Sequence, residues 1–329
     1  MKKLARWIIR HPGSAAGLTL FAGFAALNCL ACIHAYSMTH FASTVARTGR
    51  PEELTSLEKM KVLVTGVRLP RPQNTADPQS VGLAFESHRF HGDDGTTYDA
   101  WYIPCRGDRG LCILFHGYGT SKSSLLPDAR VWHELGYSTL LVDFRGCGGS
   151  SGSETTIGFR EADDVAAACR YAKRRLFNSK PILFGRSMGA AAVLRAVDCF
   201  ELQPQAVVLE CPFDRLLSTV RNRFRAMGVP SFPCAELLVF WGGVQHGYSG
   251  FRHNPAEYAA HVHCPVLLMS GEQDTRVTKE QTMAVFDGLP APKQVLLFAG
   301  VGHESCLTAF PDQWKVSLAR FLKERVETE

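Results

Sequence analysis

The sequence has no Lys, Arg, Asp or Glu between His11 and Ala46, and no acidic residue precedes Glu52. It also lacks internal repeats and low-complexity tracts, and the nine cysteines outside that stretch form no Cys-x-x-Cys pair or Cys/His cluster with metal-ligand spacing. We therefore expect neither a repeat architecture nor a structural metal site. With 46% apolar and 20% charged residues among 329, the composition also excludes a disordered chain, a collagen-like chain and a polytopic membrane protein.

The net charge of +5 is concentrated at the N-terminus. Four basic residues lie within the first ten positions, and without them the net charge is +1; they are Lys2, Lys3, Arg6 and Arg10. A diffuse basic surface would indicate an acidic macromolecular partner. Charge confined to the N-terminus does not form such a surface. We therefore expect no nucleic-acid partner.

The uncharged stretch contains a mostly apolar segment, Ala15–Tyr36. About 20 apolar residues suffice for a helix to cross a bilayer. Four basic residues precede the segment and only Arg47 and Arg50 follow closely, which predicts a cytoplasmic N-terminus and an extracytoplasmic remainder. We expect residues 1–41 to be a membrane anchor. A signal peptide cleaved near Ala35-Tyr36-Ser37, giving a secreted protein, and a buried core helix are the alternatives.

Eleven cysteines are present, an odd number. Several of them, such as Cys112 and Cys211, lie within apolar runs, where a free cysteine packs as a small hydrophobic residue. One or two disulfides are the expectation if the domain is exported, but the sequence does not assign their partners.

Residues 42–80 form a polar, proline-containing segment that predicts a connector. From about Gly82 onward, short apolar runs of strand length alternate with helix-length segments, which predicts an α/β fold with a mostly parallel sheet and helices on both faces. The predicted strands are 84–90, 97–103, 111–115, 138–144, 181–184, 206–211, 266–269 and 295–298. The predicted helices are 123–135, 160–175, 188–200, 279–287 and 312–327.

The pattern Gly-x-Ser-x-Gly occurs twice, around Ser150 and around Ser187. A nucleophile elbow requires a strand that runs straight into the serine and a helix that follows it. Ser187 follows the apolar run 181–184 and precedes small residues that open a helix, whereas Ser150 lies in Gly- and Ser-rich chain with no helix behind it. We interpret Ser187 as the nucleophile and Ser150 as a loop residue.

A serine nucleophile requires a base and a carboxylate that orients the base, and in this architecture the chain order is Ser, Asp or Glu, His. Asp274 and His303 each follow a later predicted strand, in this order. Asp214 and Glu272 are competing carboxylates. The backbone N–H groups of Met188 and Tyr118 are the expected oxyanion donors. We expect His116 to have a structural role, and the Tyr118 ring is free to line the pocket.

These motifs together resemble the α/β-hydrolase superfamily, nearest to the branch of serine aminopeptidase-like and monoglyceride-lipase-like enzymes. The resemblance covers residues 83–326 and rests on five ordered motifs: His116-Gly117, Asp143-x-Arg145-Gly146-x-Gly148-x-Ser150, Gly185-x-Ser187-x-Gly189, Gly271-x-x-Asp274 and Gly302-His303. It implies an eight-stranded hydrolase domain (81–329) whose second strand is antiparallel to the rest and whose fourth lies between the second and third. It also implies a lid insertion after strand six, at about 212–255.

The expected function is a serine hydrolase that cleaves a small-molecule carboxylic ester or thioester through an acyl-enzyme, without a cofactor or metal. A serine peptidase, an acyltransferase and a non-catalytic, membrane-tethered binding protein are the alternatives. The aromatic residues of the insertion indicate an apolar acyl or aryl substrate, or else they pack the insertion's own core. The sequence does not set the oligomeric state.

Overall fold

The computed structural model describes residues 12–42, 46, 48–49, 54–107, 109–290 and 292–327. The N-terminal basic cluster and the two arginines on the other side of the apolar segment lie outside these residues. The charge asymmetry across that segment is therefore a property of the sequence alone.

Eight strands form one sheet in the order β1-β2-β4-β3-β5-β6-β7-β8. Their bounds are β1 Glu86–His91, β2 Thr97–Ile103, β3 Leu111–Phe115, β4 Ser138–Val142, β5 Ile182–Arg186, β6 Ala206–Glu210, β7 Val266–Gly271 and β8 Lys293–Phe298. The second strand is antiparallel to both of its neighbours, and the strands from β3 to β8 are parallel. This is the topology that the resemblance implied. The central strands β3, β4 and β6 are buried along their whole length, which explains their unbroken apolar sequences.

Helices cover both faces of the sheet. On one face lie α4 Glu161–Arg175, α5 Met188–Phe200 and α9 Lys279–Gly288, and on the other lie α3 Leu126–Glu134 and α11 Pro311–Arg325. A short helix, α10 Cys306–Ala309, precedes α11. The parallel strands all end at one edge of the sheet, and the loops that carry the candidate residues meet there.

The predicted anchor lies within one long helix, α1 Pro12–Thr39. Its residues Ala16–Thr39 are long and apolar enough to cross a membrane, with a mean hydropathy of 1.9, and few of them are buried. Toward its C-terminal end, however, α1 packs on the rest of the protein, and Ala31 and Ala35 are buried there. The apolar helix is therefore in direct contact with the α/β domain.

The predicted connector contains a helix that the sequence analysis missed, α2 Ser56–Thr65. A capping box starts it: the Thr55 side chain accepts a hydrogen bond from the Glu58 N–H, and the Glu58 carboxylate accepts one from the Thr55 N–H. The backbone carbonyl of Leu63 is hydrogen bonded to His34 Nε2 at 2.9 Å, so α2 lies beside α1.

The insertion between β6 and β7 contains three helices: α6 Leu216–Met227, α7 Cys234–His246 and α8 Pro255–Tyr258. Its aromatic side chains differ in their surroundings. Tyr248 stacks on Phe159 outside the insertion, whereas Phe232, Phe240 and Phe251 are exposed. The insertion's aromatic residues therefore do not all serve one internal core.

All eleven cysteines lie among the described residues, and all eleven are free thiols. The structure does not contain the one or two disulfides expected for an exported domain.

Candidate active site

Ser187 stands on a tight turn between β5 and α5. Its backbone lies at φ 52° and ψ −112°, a strained region for a residue with a side chain. The flanking glycines explain why the motif is required. A Cβ at Gly185 would lie 2.6 Å from the Gly189 carbonyl carbon, and a Cβ at Gly189 would lie 2.3 Å from the Phe115 carbonyl oxygen. Side chains at these two positions would prevent α5 from packing this closely against β5 and β3.

Ser187, His303 and Asp274 are brought together in series. Ser187 Oγ lies 3.1 Å from His303 Nε2, and His303 Nδ1 lies 2.6 Å from Asp274 Oδ2. Asp274 is fully buried at its side chain, whereas the His303 ring is 19% exposed. The geometry assigns the Nδ1–H tautomer to His303, which leaves Nε2 free to accept the serine proton.

Asp274 is fixed by its own loop. Its Oδ1 accepts hydrogen bonds from the Arg276 N–H at 2.8 Å and the Val277 N–H at 2.9 Å, which aims Oδ2 at the histidine. The two competing carboxylates lie elsewhere: Asp214 bonds to Ser218, and Glu272 pairs with Lys279.

The two expected oxyanion donors border the same cavity as Ser187. Met188 is the first residue of α5, where backbone N–H groups have no partner within the helix. The loop that carries Tyr118 is close, because a Cβ at Gly117 would lie 3.8 Å from Ser187 Cβ. The Tyr118 ring lines the cavity, and its hydroxyl donates a hydrogen bond to the Met38 carbonyl at the end of α1.

His116 is a structural residue. Its Nδ1 lies 2.9 Å from the Gly117 carbonyl oxygen, and its Nε2 accepts a hydrogen bond from the Phe144 N–H at 3.1 Å. Burial lowers the pKa of His116. A neutral ring with both nitrogens engaged shapes the loop and has no proton-transfer role at Ser187.

A buried ionic network behind the nucleophile was not foreseen from the sequence. Arg186 donates to Glu210 at 2.7 Å and to Asp128 at 2.6 Å, and Glu210 also accepts from the Trp314 indole N–H. Burial raises the pKa of Asp128 to about 7. The Ser187 backbone N–H donates to the Glu210 backbone carbonyl, so this network is directly linked to the strained turn.

A second unforeseen network explains the motif around Ser150. Lys122, fully buried, pairs with Asp143 and Asp99, and its ammonium group lies over the Trp101 ring. Ser150 Oγ donates to the Asp143 carbonyl and accepts from the Asp99 N–H. The Gly-x-Ser-x-Gly motif around Ser150 is therefore a structural loop, as its sequence context predicted.

The cavity above Ser187 is mostly apolar. Its aliphatic and aromatic lining comprises Met38, Tyr118, Ile157, Met188, Phe213, Leu216, Val220 and Val277. Thr219, Arg223 and Arg276 also line it, together with Ser187 and His303. Five of these residues, 213 to 223, belong to the insertion, and Met38 belongs to α1, so both elements form walls of the pocket.

Ile157 is held at the cavity wall with φ 56° by the buried carboxylate of Glu161. That carboxylate accepts hydrogen bonds from Thr155, from Thr156 and from the Gly158 N–H. Burial alone would raise the pKa of Glu161, but the hydrogen bonds from the two threonines keep it below its usual value.

Two groups of described residues bring three potential metal-ligand atoms within 4.8 Å of one another. One is His40, Glu154 and His246, where α1 meets the end of α7. The other is Cys211, Asp274 and His303, in which the carboxylate and the imidazole are already hydrogen bonded to each other. The expectation that the reaction needs no metal or cofactor remains a prediction.

Residues 107–230 match the family model described as serine aminopeptidase, S33. An uncharacterized protein of Mycobacterium tuberculosis is 31% identical over 220 residues, covering 64% of this chain and 69% of the relative. The lysophosphatidylserine lipase ABHD12 of Danio rerio is 26% identical over 258 residues, covering 70% of this chain and 66% of the relative.

Solved structures share the fold. The Pyrococcus furiosus esterase Pf2001 superposes with a TM-score of 0.66 at 24% identity, covering 78% of this chain and 97% of the esterase. Est1E of Butyrivibrio proteoclasticus, solved with ferulic acid, superposes with a TM-score of 0.58 at 18% identity, covering 73% of this chain and 99% of that protein.

Proposed function

The chain belongs to the α/β-hydrolase superfamily, and from this premise we propose that it is a serine hydrolase that cleaves a carboxylic ester or thioester through an acyl-enzyme. One observation carries the proposal: the hydrogen-bonded series from Ser187 Oγ through His303 to Asp274, opening into an apolar cavity.

In the proposed mechanism, Ser187 Oγ attacks the acyl carbonyl carbon while His303 Nε2 takes the hydroxyl proton. Asp274 orients the ring and stabilises the imidazolium. The tetrahedral oxyanion is bound by the Met188 and Tyr118 N–H groups. The intermediate then collapses, His303 gives its proton to the leaving alcohol or thiol, and the acyl group stays on Ser187. Water, deprotonated by His303, attacks the acyl-enzyme and releases the acid.

The direct test is Ser187→Ala. We expect kcat/KM for p-nitrophenyl butyrate to fall by about 10⁴-fold or more, because the variant has no nucleophile. Ser80→Ala, which changes an exposed serine, is the matched control and should be fully active. Turnover retained by a folded Ser187→Ala protein would contradict the proposal.

A serine peptidase is the second candidate, because the matching family model is described as a serine aminopeptidase. An aminopeptidase must bind the substrate's ammonium group, for which a carboxylate is the usual partner. Arg223 and Arg276 line the cavity above Ser187, and no Asp or Glu is among its described lining residues. This favours an ester. Faster hydrolysis of aminoacyl p-nitroanilides than of acyl esters would favour the peptidase instead. Lysophosphatidylserine should be included among the test substrates, because the Danio rerio relative is a lysophosphatidylserine lipase.

We further propose that the protein is a single-pass membrane protein with a cytoplasmic N-terminus and an extracytoplasmic hydrolase domain. The basic prefix supports this orientation. The contacts of α1 favour an uncleaved helix, since Trp241 donates to Asn28 and Gln245 donates to the Cys32 carbonyl. Cleavage near residue 36 would remove both partners.

The location is tested by alkaline carbonate extraction and by external protease on intact cells. The full-length chain should stay in the membrane fraction, and the protease should digest its hydrolase domain. A shortened, soluble form in the medium would instead support cleavage and secretion, and protection from protease in intact cells would reverse the orientation.

A further inference from the structure

A second cavity lies between the membrane helix α1 and the helices of the insertion. It shares three lining residues with the cavity above Ser187: Met38, Val220 and Arg223. The two cavities are therefore neighbours at the C-terminal end of α1. Movement of these three side chains would join them into one path along the side of α1.

The lining of the second cavity is almost entirely apolar. Leu27, Leu30 and Ala31 come from α1, while Phe224, Met227 and Leu238 come from the insertion. His34 is hydrogen bonded to the Leu63 carbonyl, which closes one side. The Arg223 guanidinium, which borders both cavities, lies over the Tyr118 ring. Away from Arg223 the surface offers few partners for a polar ligand, and it suits a hydrocarbon.

The dimensions indicate a long, single chain. Leu27 and Met38 are eleven residues apart on α1, which at 1.5 Å per residue is about 16 Å along the helix. The cavities are small, about 80 Å³ beside α1 and about 60 Å³ above Ser187, so a single chain can enter only if lining side chains move, and two chains would require still more room. Met38 and Met227 have unbranched, flexible side chains that can yield to an entering chain.

The surroundings place the outer end of this path at a membrane. Large apolar side chains are exposed on both elements that flank α1: Leu57, Met60 and Val64 on α2, and Phe240 and Val244 on α7. Exposed apolar residues that continue the surface of a membrane helix are typical of a region that enters the lipid interface.

We propose that α1 forms one wall of an acyl-chain channel between the bilayer and Ser187, and that the substrate is a membrane-resident ester with one long acyl chain. This inference rests on the proposed function, because it takes Ser187 as the point where the channel ends. The chain would enter between α1 and the insertion, and its carbonyl would stop at the serine.

The test measures how activity depends on acyl-chain length. Full-length protein is placed in phosphatidylcholine vesicles and assayed with p-nitrophenyl esters from butyrate to palmitate. Ala31→Trp fills the channel near its middle and should lower kcat/KM at least about tenfold for palmitate, with less than about a twofold change for butyrate. Leu27→Trp, farther from the serine, should affect only the longest chains. Ile33→Trp, on the exposed face of the same helix, is the matched control and should change neither activity.

The outcomes separate the two proposals. If wild type hydrolyses both esters and neither tryptophan variant in the channel shifts the chain-length profile, the channel is refuted and the hydrolase stands. If Ala31→Trp lowers kcat/KM equally for all esters, the chain-length profile of Leu27→Trp becomes the deciding measurement. An equal loss for all esters in Leu27→Trp also refutes the channel. If wild type hydrolyses no ester of the series, or if Ser187→Ala hydrolyses them as well as wild type, the proposed function itself fails.

Discussion

At the scale of single residues, the candidate site depends on the orientation of one imidazole ring. Asp274 accepts from His303 Nδ1 with one oxygen and from two backbone N–H groups with the other. A carboxylate is required for the first contact because it has no hydrogen to donate. An amide in its place could keep the backbone contacts but would present its NH₂ group to the ring.

We therefore expect Asp274→Asn to lower kcat by up to about 10⁴-fold through loss of the correct tautomer, while the free energy of unfolding changes little. Steady-state kinetics with p-nitrophenyl butyrate and thermal unfolding measure the two quantities. Glu272→Gln, which removes an exposed carboxylate two residues away, is the control and should stay within about twofold of wild type. Equal effects of the two substitutions would disprove the assignment of Asp274.

At the scale of elements, the insertion is joined to the loop before α4 by a buried histidine. His253 lies 3.0 Å from the Ile157 carbonyl through Nε2 and packs edge-on against Phe159 and Phe213. Burial lowers the pKa of His253 from 6.5 to about 4. The folded state thus keeps this ring neutral under conditions in which an unfolded chain would protonate it.

The sign of the pH effect follows from this difference. Between pH 6.5 and 4 the unfolded state binds more protons at this position, so the free energy of unfolding falls as the pH falls. From pH 7.5 to pH 5 we expect His253 to account for a loss of about 2 kcal/mol. Chemical denaturation of wild type and His253→Gln at both pH values measures it. The variant should lose less stability on acidification, and an equal or larger loss would refute this role.

Among the secondary-structure elements, some could be predicted from the sequence and others could not. All eight strands and the longer helices of the α/β domain were predicted, because each carries a local pattern: an apolar run, a helical period or a strand–Ser–helix turn. The one-turn helix α10 was not predicted. Helix α2 was missed inside an apparently polar connector, although Thr55 and Glu58 form a capping box that was visible in the sequence. The helices α6 and α7 were not predicted individually. Helix α6 does have apolar residues at helical spacing, Leu217, Val220, Phe224 and Met227, whereas α7 is apolar around most of its circumference.

At the scale of the whole molecule, the candidate site was predictable only in part. Ser187, Asp274 and His303 follow strands in a fixed order, so motifs and order suffice to name them. The partners of Lys122 and Arg186 come from distant parts of the chain and leave no local signal. The packing of α1 on the insertion is of the same kind, and no pattern within residues 15–36 indicates that this apolar helix borders the pocket.

The apolar helix and the candidate site are in contact. The last turns of α1 contact the insertion, and Met38 lines the cavity of the proposed nucleophile. The proposals about the reaction and the substrate depend on one claim, that Ser187 is an activated nucleophile.

The most direct measurement of that claim is reaction of the full-length protein with a fluorophosphonate probe, followed by peptide mass spectrometry. If Ser187 is the activated nucleophile, a single phosphonyl adduct should form on the peptide that contains Ser187. It should be absent from Ser187→Ala and from the peptide that contains Ser150. An unlabelled Ser187 in folded protein, or an adduct on Ser150 instead, would contradict the claim.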